Sequence, residues 1–121
     1  VGRLITHEKI DRRFKSDSDG GGGPDMATVR VGLHNLNLHM EYLSHLLDER
    51  DWLAGNALSM ADLTAAAHLS CLDFTGDVPW KAWPGVRDWY AKLKSRPSFR
   101  PLLADHVAGM RPPPYYTGLD F

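Results

Sequence analysis

Apolar positions along this 121-residue chain recur at helical steps, and no segment alternates as a strand would. Between Asp25 and Glu49, the residues Val29, Leu33, Leu36, Met40, Leu43 and Leu47 follow one another at intervals of three and four, forming one continuous helical stripe. Leu38, Tyr42 and Leu46 widen the stripe, so this helix is expected to pack on more than one neighbour. Asp25 stands at the N-cap position with Pro24 just outside it. The stripe stops after about three heptads, which favours core packing over a coiled-coil seam. From Met60 to Phe74, Leu63, Ala65, Ala66, Ala67, Leu69, Cys71 and Leu72 make a helix apolar nearly all round. That pattern predicts a rod in the centre of a bundle, with Cys71 as a small core residue. Val86, Trp89, Tyr90 and Leu93 give a further helix one apolar face, opposite Arg87, Asp88, Lys92 and Lys94, and Pro84 suits its first turn. Pro97 is expected to start a last short helix with Phe99, Leu102 and Leu103 inward. The predicted class is all-α, a bundle of roughly four or five helices.

The central rod carries a sharp start signal. Ser59 is an N-cap whose partner three residues on, Asp62, can reach back to the Ser59 N–H, and Leu58 and Leu63 flank this box as a hydrophobic staple. Losing the box is expected to cost about 1–2 kcal/mol. A catalytic Ser59–Asp62 pair would require a histidine base beside it, so the structural N-cap box is the preferred reading.

The chain opens on Leu4, Ile5, Ile10 and Phe14 set among charges, with no capping residue ahead of Leu4. Residues 1–15 are therefore expected to be the end of a helix continuing from a missing N-terminal domain, a frayed terminus being the alternative. Residues 16–25 form a Gly-rich loop. Its four consecutive glycines lack the following Lys-Ser/Thr and the preceding strand of a phosphate-binding loop, so a linker is expected. The helical domain then covers 26–105, and 106–121 is a Pro-rich tail.

Composition narrows the function. Fourteen basic against fifteen acidic residues give a net charge of −1, which argues against a nucleic-acid binder and a polybasic membrane-surface module. No apolar run is long enough for membrane insertion. Cys71 is the single cysteine, which excludes an intrachain disulfide and a four-cysteine zinc site and suits a cytoplasmic protein. No metal site is expected: His34 and His45 share a helix face but stand roughly 16 Å apart along it, and Glu41 with His45 reads as a surface pair. Trp80, Trp83 and Trp89 read as packing residues and not as a stacking platform for bases. Arg3, His7, Lys9, Arg12 and Arg13 read either as a solvated face or as one wall of a cleft shared with a preceding domain, where an anionic ligand or partner could sit.

In order along the chain, Trp52-Leu53-Ala54-Gly55, Leu58-Ser59-Met60-Ala61-Asp62, Trp83-Pro84-Gly85-Val86, Trp89-Tyr90 and Ser95-Arg96-Pro97-Ser98-Phe99 resemble the C-terminal helical domain of glutathione transferases. The resemblance implies that fold, with a thioredoxin-like domain ahead of it that binds glutathione and activates its thiol. The helical domain would supply one wall of the electrophile pocket and much of a homodimer interface. No catalytic residue is assigned to this chain, and glutathione is implied as a cofactor only with the missing N-terminal domain. Asp25-Met26, Arg50-Asp51-Trp52, Ala65-Ala66-Ala67-His68-Leu69-Ser70, Gly76-Asp77-Val78-Pro79-Trp80 and the ending Pro112 to Phe121 resemble a narrower, transferase-like group of alphaproteobacterial cell-division proteins. Those proteins bind the tubulin-like GTPase FtsZ and help couple it to cell-wall synthesis. The resemblance thus implies a non-catalytic cytoplasmic adaptor, homodimeric at full length, whose partners are FtsZ and the cell-wall synthesis machinery. The alternative is a genuine transferase that conjugates glutathione to small electrophiles.

The tail has its own chemistry. Pro112-Pro113-Pro114 favours polyproline II, and ten residues so extended would reach roughly 30 Å. Tyr115, Tyr116, Leu119 and Phe121 are anchors of the kind enriched at binding hot spots, and Asp120 adds charge beside the terminal carboxylate. These five are the expected partner-binding residues. The alternative is that the aromatic residues fold back and cover the chain's own core.

Overall fold

The first strong structural signal, the cap at Asp25, is where the longest helix begins. Its carboxylate accepts from the Ala27 N–H at 3.0 Å and from the Thr28 hydroxyl at 2.9 Å. The computed structural model describes residues 1–119. Among these lie helices α1 (Gly2–Lys9), α2 (Met26–Glu49), α3 (Met60–Phe74) and α4 (Pro84–Lys94). They are joined by 3-10 turns at Asp11–Phe14, Asp17–Asp19, Trp80–Ala82, Arg100–Ala104 and Pro114–Thr117. No strand occurs among the described residues, only an isolated bridge between Trp52 and Gly55, and the class is all-α as the periodicity predicts.

α2 packs on α1 and α4, and α3 packs on α1 and α4 in turn. Val29, Leu36 and Met40 are buried, with Leu33, Leu43 and Leu47 half-buried beside the core. The stripe is narrower than expected: Leu38 and Tyr42 are 53% and 62% exposed. α1 sits close against α2 at Gly32, where a Cβ would fall 2.6 Å from Ile5 Cγ1 and 3.0 Å from Leu4 Cβ.

The opening helix is shorter than expected. It ends at Lys9 and tightens into the 3-10 turn Asp11–Phe14, leaving Phe14 exposed. Most of its charges are engaged within the chain, so this is not a simple solvated face. The buried Glu8 carboxylate accepts from the Asp25 N–H at 2.7 Å and pairs with Arg12. Those two bonds hold its carboxyl below the ordinary carboxylate range. Lys9 Nζ lies 2.6 Å from Asp77 Oδ1, and Arg13 donates to the Gly109 carbonyl at 2.7 Å.

α3 begins at the predicted box. Asp62 Oδ2 accepts from the Ser59 N–H at 3.0 Å and the Ser59 hydroxyl at 3.3 Å. Its Oδ1 accepts from the Leu53 N–H and from the Trp89 indole N–H, both at 2.9 Å. Burial of the Asp62 carboxyl pushes its pKa up, but these donors outweigh burial and hold it below the ordinary value of 3.8. α3 ends at Gly76, whose φ of +77° suits glycine. The Gly76 N–H donates to the Asp73 carbonyl at 3.0 Å and the Asp77 N–H to the Leu72 carbonyl at 2.9 Å, the Schellman pattern. Pro113 from the tail crosses over this turn, 3.1 Å from where a Gly76 Cβ would stand.

One correction concerns α3: it is not covered all round. Thr64, His68 and Cys71 share an exposed face, so Cys71 is an accessible thiol and not a core residue. The aromatic core lies between α4 and the segments on either side of it. Trp80 stacks on Tyr90 with centroids 4.7 Å apart, and Tyr90 meets Phe99 edge-on at 6.1 Å. Beyond α4 the last helix forms as the 3-10 turn Arg100–Ala104; Phe99 and Leu103 point inward as expected, whereas Leu102 is exposed.

Asp62→Ala should cost about 3 kcal/mol or more, because it strands the buried Trp89 indole donor and the part-buried Leu53 N–H as well as opening the box. Ser59→Ala should cost about 1 kcal/mol. Urea midpoints of the two variants check this ordering. A lowered carboxylate pKa contributes stability present above the unfolded value and lost as pH falls. Wild-type unfolding free energy should therefore drop on acidification below the ordinary value of 3.8, and more steeply than that of Asp62→Asn. Gly32→Ala should lower the melting midpoint, although alanine favours an isolated helix by about 1 kcal/mol over glycine, because the new methyl displaces Ile5.

Candidate functional site

Two regions can carry function: an open cleft between α1, α2 and α3, and the surface where the tail meets the α4 C-terminus. On the α3 side the cleft is lined by Ala65, His68, Leu69, Cys71 and Leu72. It encloses about 1320 Å³. Leu36, Leu43, Leu69 and Leu72 line its apolar side, while His7, His39, Tyr42, His68 and Cys71 bring polar groups. Of the five basic residues proposed for a cleft wall, Arg3 and His7 line it. Lys9, Arg12 and Arg13 are engaged elsewhere within the chain. Such a cleft suits an apolar or amphipathic occupant. The Cys71 thiol, the nucleophile in the cleft, faces its own helix, 3.8 Å from the Ala67 carbonyl. Among the described residues no cluster of three metal-ligating side chains occurs, and no helix is long and apolar enough to cross a membrane. His45 lies 3.6 Å from Glu49 Oε1, so its acidic neighbour is Glu49 and not the expected Glu41.

At the tail, Pro113 is extended at φ −56° and ψ 151°, but the chain then turns through Pro114–Thr117 and does not continue as a straight stem. Tyr116 is 4% exposed. Its ring meets Phe74 edge-on at 5.3 Å, and its hydroxyl donates to the Leu102 carbonyl at 3.3 Å. Burial pushes its phenol up to about 12. Among the expected partner-binding residues, Tyr116 thus serves the core, as the fold-back alternative has it. Tyr115 and Leu119 are half-buried, with part of each side chain at the surface. Asp120 and Phe121 lie outside the described residues.

Beneath the turn sits a buried ion pair that the sequence reading missed. Lys94 and Asp73 are both 0% exposed, with Nζ and Oδ2 3.9 Å apart. Asp73 Oδ1 accepts from the Trp80 indole N–H at 2.9 Å. Burial raises the Asp73 carboxyl above its ordinary range, and the Trp80 bond and the Lys94 charge offset only part of that rise. Lys94 Nζ also lies 5.4 Å from the Tyr90 ring centroid and donates to the Tyr115 carbonyl at 3.0 Å. Next to it, the Ser95 hydroxyl donates to the Leu119 carbonyl at 3.3 Å. Two signals in the sequence could have found the pair. Lys94 follows Tyr90 by one helical turn, on the apolar face, and Asp73 is a carboxylate near the end of the most apolar helix.

Comparison with known proteins places this geometry. The chain is 48% identical over 121 residues to FtsZ-localized protein A of Caulobacter vibrioides, covering 100% of this chain and 51% of that protein. The solved structure of FzlA from C. crescentus superimposes with a TM-score of 0.93 at 48% identity, over 100% of this chain and 52% of that one. A crystal structure of a glutathione S-transferase from Sinorhizobium meliloti 1021 matches with a TM-score of 0.93 at 44% identity, covering 99% and 54% of the two chains. The chain spans about half the length of these relatives. Residues 26–97, which hold α2, the Asp62 box, α3 and α4, match the glutathione S-transferase C-terminal domain, and the chain belongs to that family.

Proposed function

We propose that this domain serves in a cytoplasmic, FtsZ-binding adaptor of bacterial cell division, homodimeric at full length, which links FtsZ to the cell-wall synthesis machinery. One observation carries the reading: the identity to FtsZ-localized protein A extends over all 121 residues, the tail included. In this reading the helical bundle is a rigid scaffold. The surface where Tyr115 and Leu119 meet the α4 C-terminus is one partner contact, with Asp120 and Phe121 as further contact residues. Half-buried aromatic and aliphatic groups held on a stiff support lose little conformational entropy on association, which suits recognition. The open cleft is then a surface for association within the whole protein and not a self-sufficient active centre.

A second reading is a glutathione-conjugating enzyme. It draws support from the apolar side of the 1320 Å³ cleft and from 33% identity over 88 residues to glutathione S-transferase 1 of Zea mays. In that case the thiol-activating residue and glutathione itself belong to a preceding thioredoxin-like domain, and the cleft supplies a wall for the electrophile.

The intact protein is expected to co-sediment with FtsZ polymers formed with GTP. Removal of residues 119–121, which spares the core residue Tyr116, should weaken that co-sedimentation. An intact protein that neither co-sediments with FtsZ nor alters its polymers would dismiss the adaptor reading. Saturable conjugation of a chlorinated aromatic with glutathione would support the enzyme.

A further inference from the structure

We propose that the Lys94 ammonium, held by Asp73 beneath the tail, is an internal latch that fixes residues 113–119 in the docked conformation. A partner then meets the end of the chain as a preformed surface and not as a loose strand. The latch follows from contacts within this chain; its consequence for partner presentation rests on the adaptor reading above.

The energetics of the pair point this way. Taking a lysine and an aspartate fully out of water costs more than their attraction returns, unless hydrogen bonds satisfy the remaining protons and lone pairs. The Lys94–Asp73 separation of 3.9 Å is loose for an ion pair, and Asp73 commits its other oxygen to the Trp80 indole. The Lys94 ammonium makes a closer bond, at 3.0 Å, to the Tyr115 carbonyl, a group the tail delivers only when docked. Undocking would therefore withdraw that acceptor from a charge enclosed between Asp73 and the Tyr90 ring. Ser95 repeats the grip on the Leu119 carbonyl, so two consecutive residues at the α4 C-terminus hold the two ends of one short segment. Both contacts are to backbone, which sets the path of the tail and leaves the outer sides of Tyr115 and Leu119 to be read.

The rest of the segment agrees with a single docked state. The Tyr116 ring rests against Phe74, and its hydroxyl bonds the Leu102 carbonyl. The Tyr116 N–H donates to the Pro113 carbonyl at 3.0 Å and the Gly118 N–H to the Tyr115 carbonyl at 3.1 Å, so the turn closes on itself around the carbonyl that Lys94 holds.

Hydrogen exchange of the intact protein tests the latch. In the wild type, the Tyr116 and Gly118 amides should exchange at least about tenfold more slowly than in a free peptide of the same tail. Lys94→Met keeps the length and removes the charge. It should bring those amides to within about threefold of the peptide rate while the α2 amides of Leu36 and Met40 stay protected. A folded Lys94→Met protein with wild-type protection in the tail would overturn the latch, as would peptide-like exchange at both amides in the wild type. If Lys94→Met does not fold, Lys94→Gln decides: it keeps a donor toward the Tyr115 carbonyl, and exchange between the two limits supports the latch whereas wild-type protection refutes it. FtsZ co-sedimentation run on the same samples separates the two ideas. A protected tail without FtsZ association removes the adaptor reading and leaves the latch standing.

Discussion

The Asp62 carboxylate is the interaction on which the remainder of the bundle depends. Four donors converge on its two oxygens, from Leu53 in the loop before α3, from the N-cap Ser59 and from the Trp89 indole of α4. Without it the buried Trp89 indole N–H would be left unsatisfied, and the part-buried donors of Leu53 and Ser59 would lose their acceptor. One fully buried side chain thereby fixes where α3 begins, how the 50–59 loop runs and where α4 crosses. A capping box alone would have secured only the first of these. The added bonds to Leu53 and Trp89 turn a local start signal into a tertiary joint.

From that joint the molecule is organised in two directions. Toward the N-terminus, Gly32 lets α1 approach α2 closely, and Glu8 and Lys9 tie α1 to the Asp25 cap and to Asp77 beyond α3. Toward the C-terminus, the Trp80–Tyr90–Phe99 cluster and the Asp73–Lys94 pair form the seat on which the tail rests. The apolar cleft between the two lies open because nothing among the described residues covers that face of α3.

Much of this was legible in the residues. The α2 stripe and its Asp25 cap, the Ser59–Asp62 box and the inward face of α4 all follow from spacing, because local hydrogen bonding and a 3.6-residue period decide them. What was not legible depends on what lies opposite. Cys71 reads as core because its helix is apolar, yet the neighbour that would cover it is not among the described residues. Leu38 and Tyr42 read as part of the stripe for the same reason. Lys94 reads as solvated because a lone lysine is seldom buried, and only the fold brings Asp73 and the Tyr115 carbonyl to it. Three prolines read as a straight stem, but Tyr116 after them finds more apolar surface by turning inward onto Phe74.

The crossing of Pro113 over Gly76 has a consequence for how such a domain can diverge. Glycine is favoured there twice over, once for the left-handed backbone at φ +77° and once because a β-carbon would stand 3.1 Å from the proline ring, which would have to give way by a few tenths of an ångström. A lineage that discarded the C-terminal extension would lift only the second constraint. Residue 76 could then drift to asparagine, which tolerates the same backbone, whereas lineages keeping the extension should hold glycine and proline together as an inherited pair.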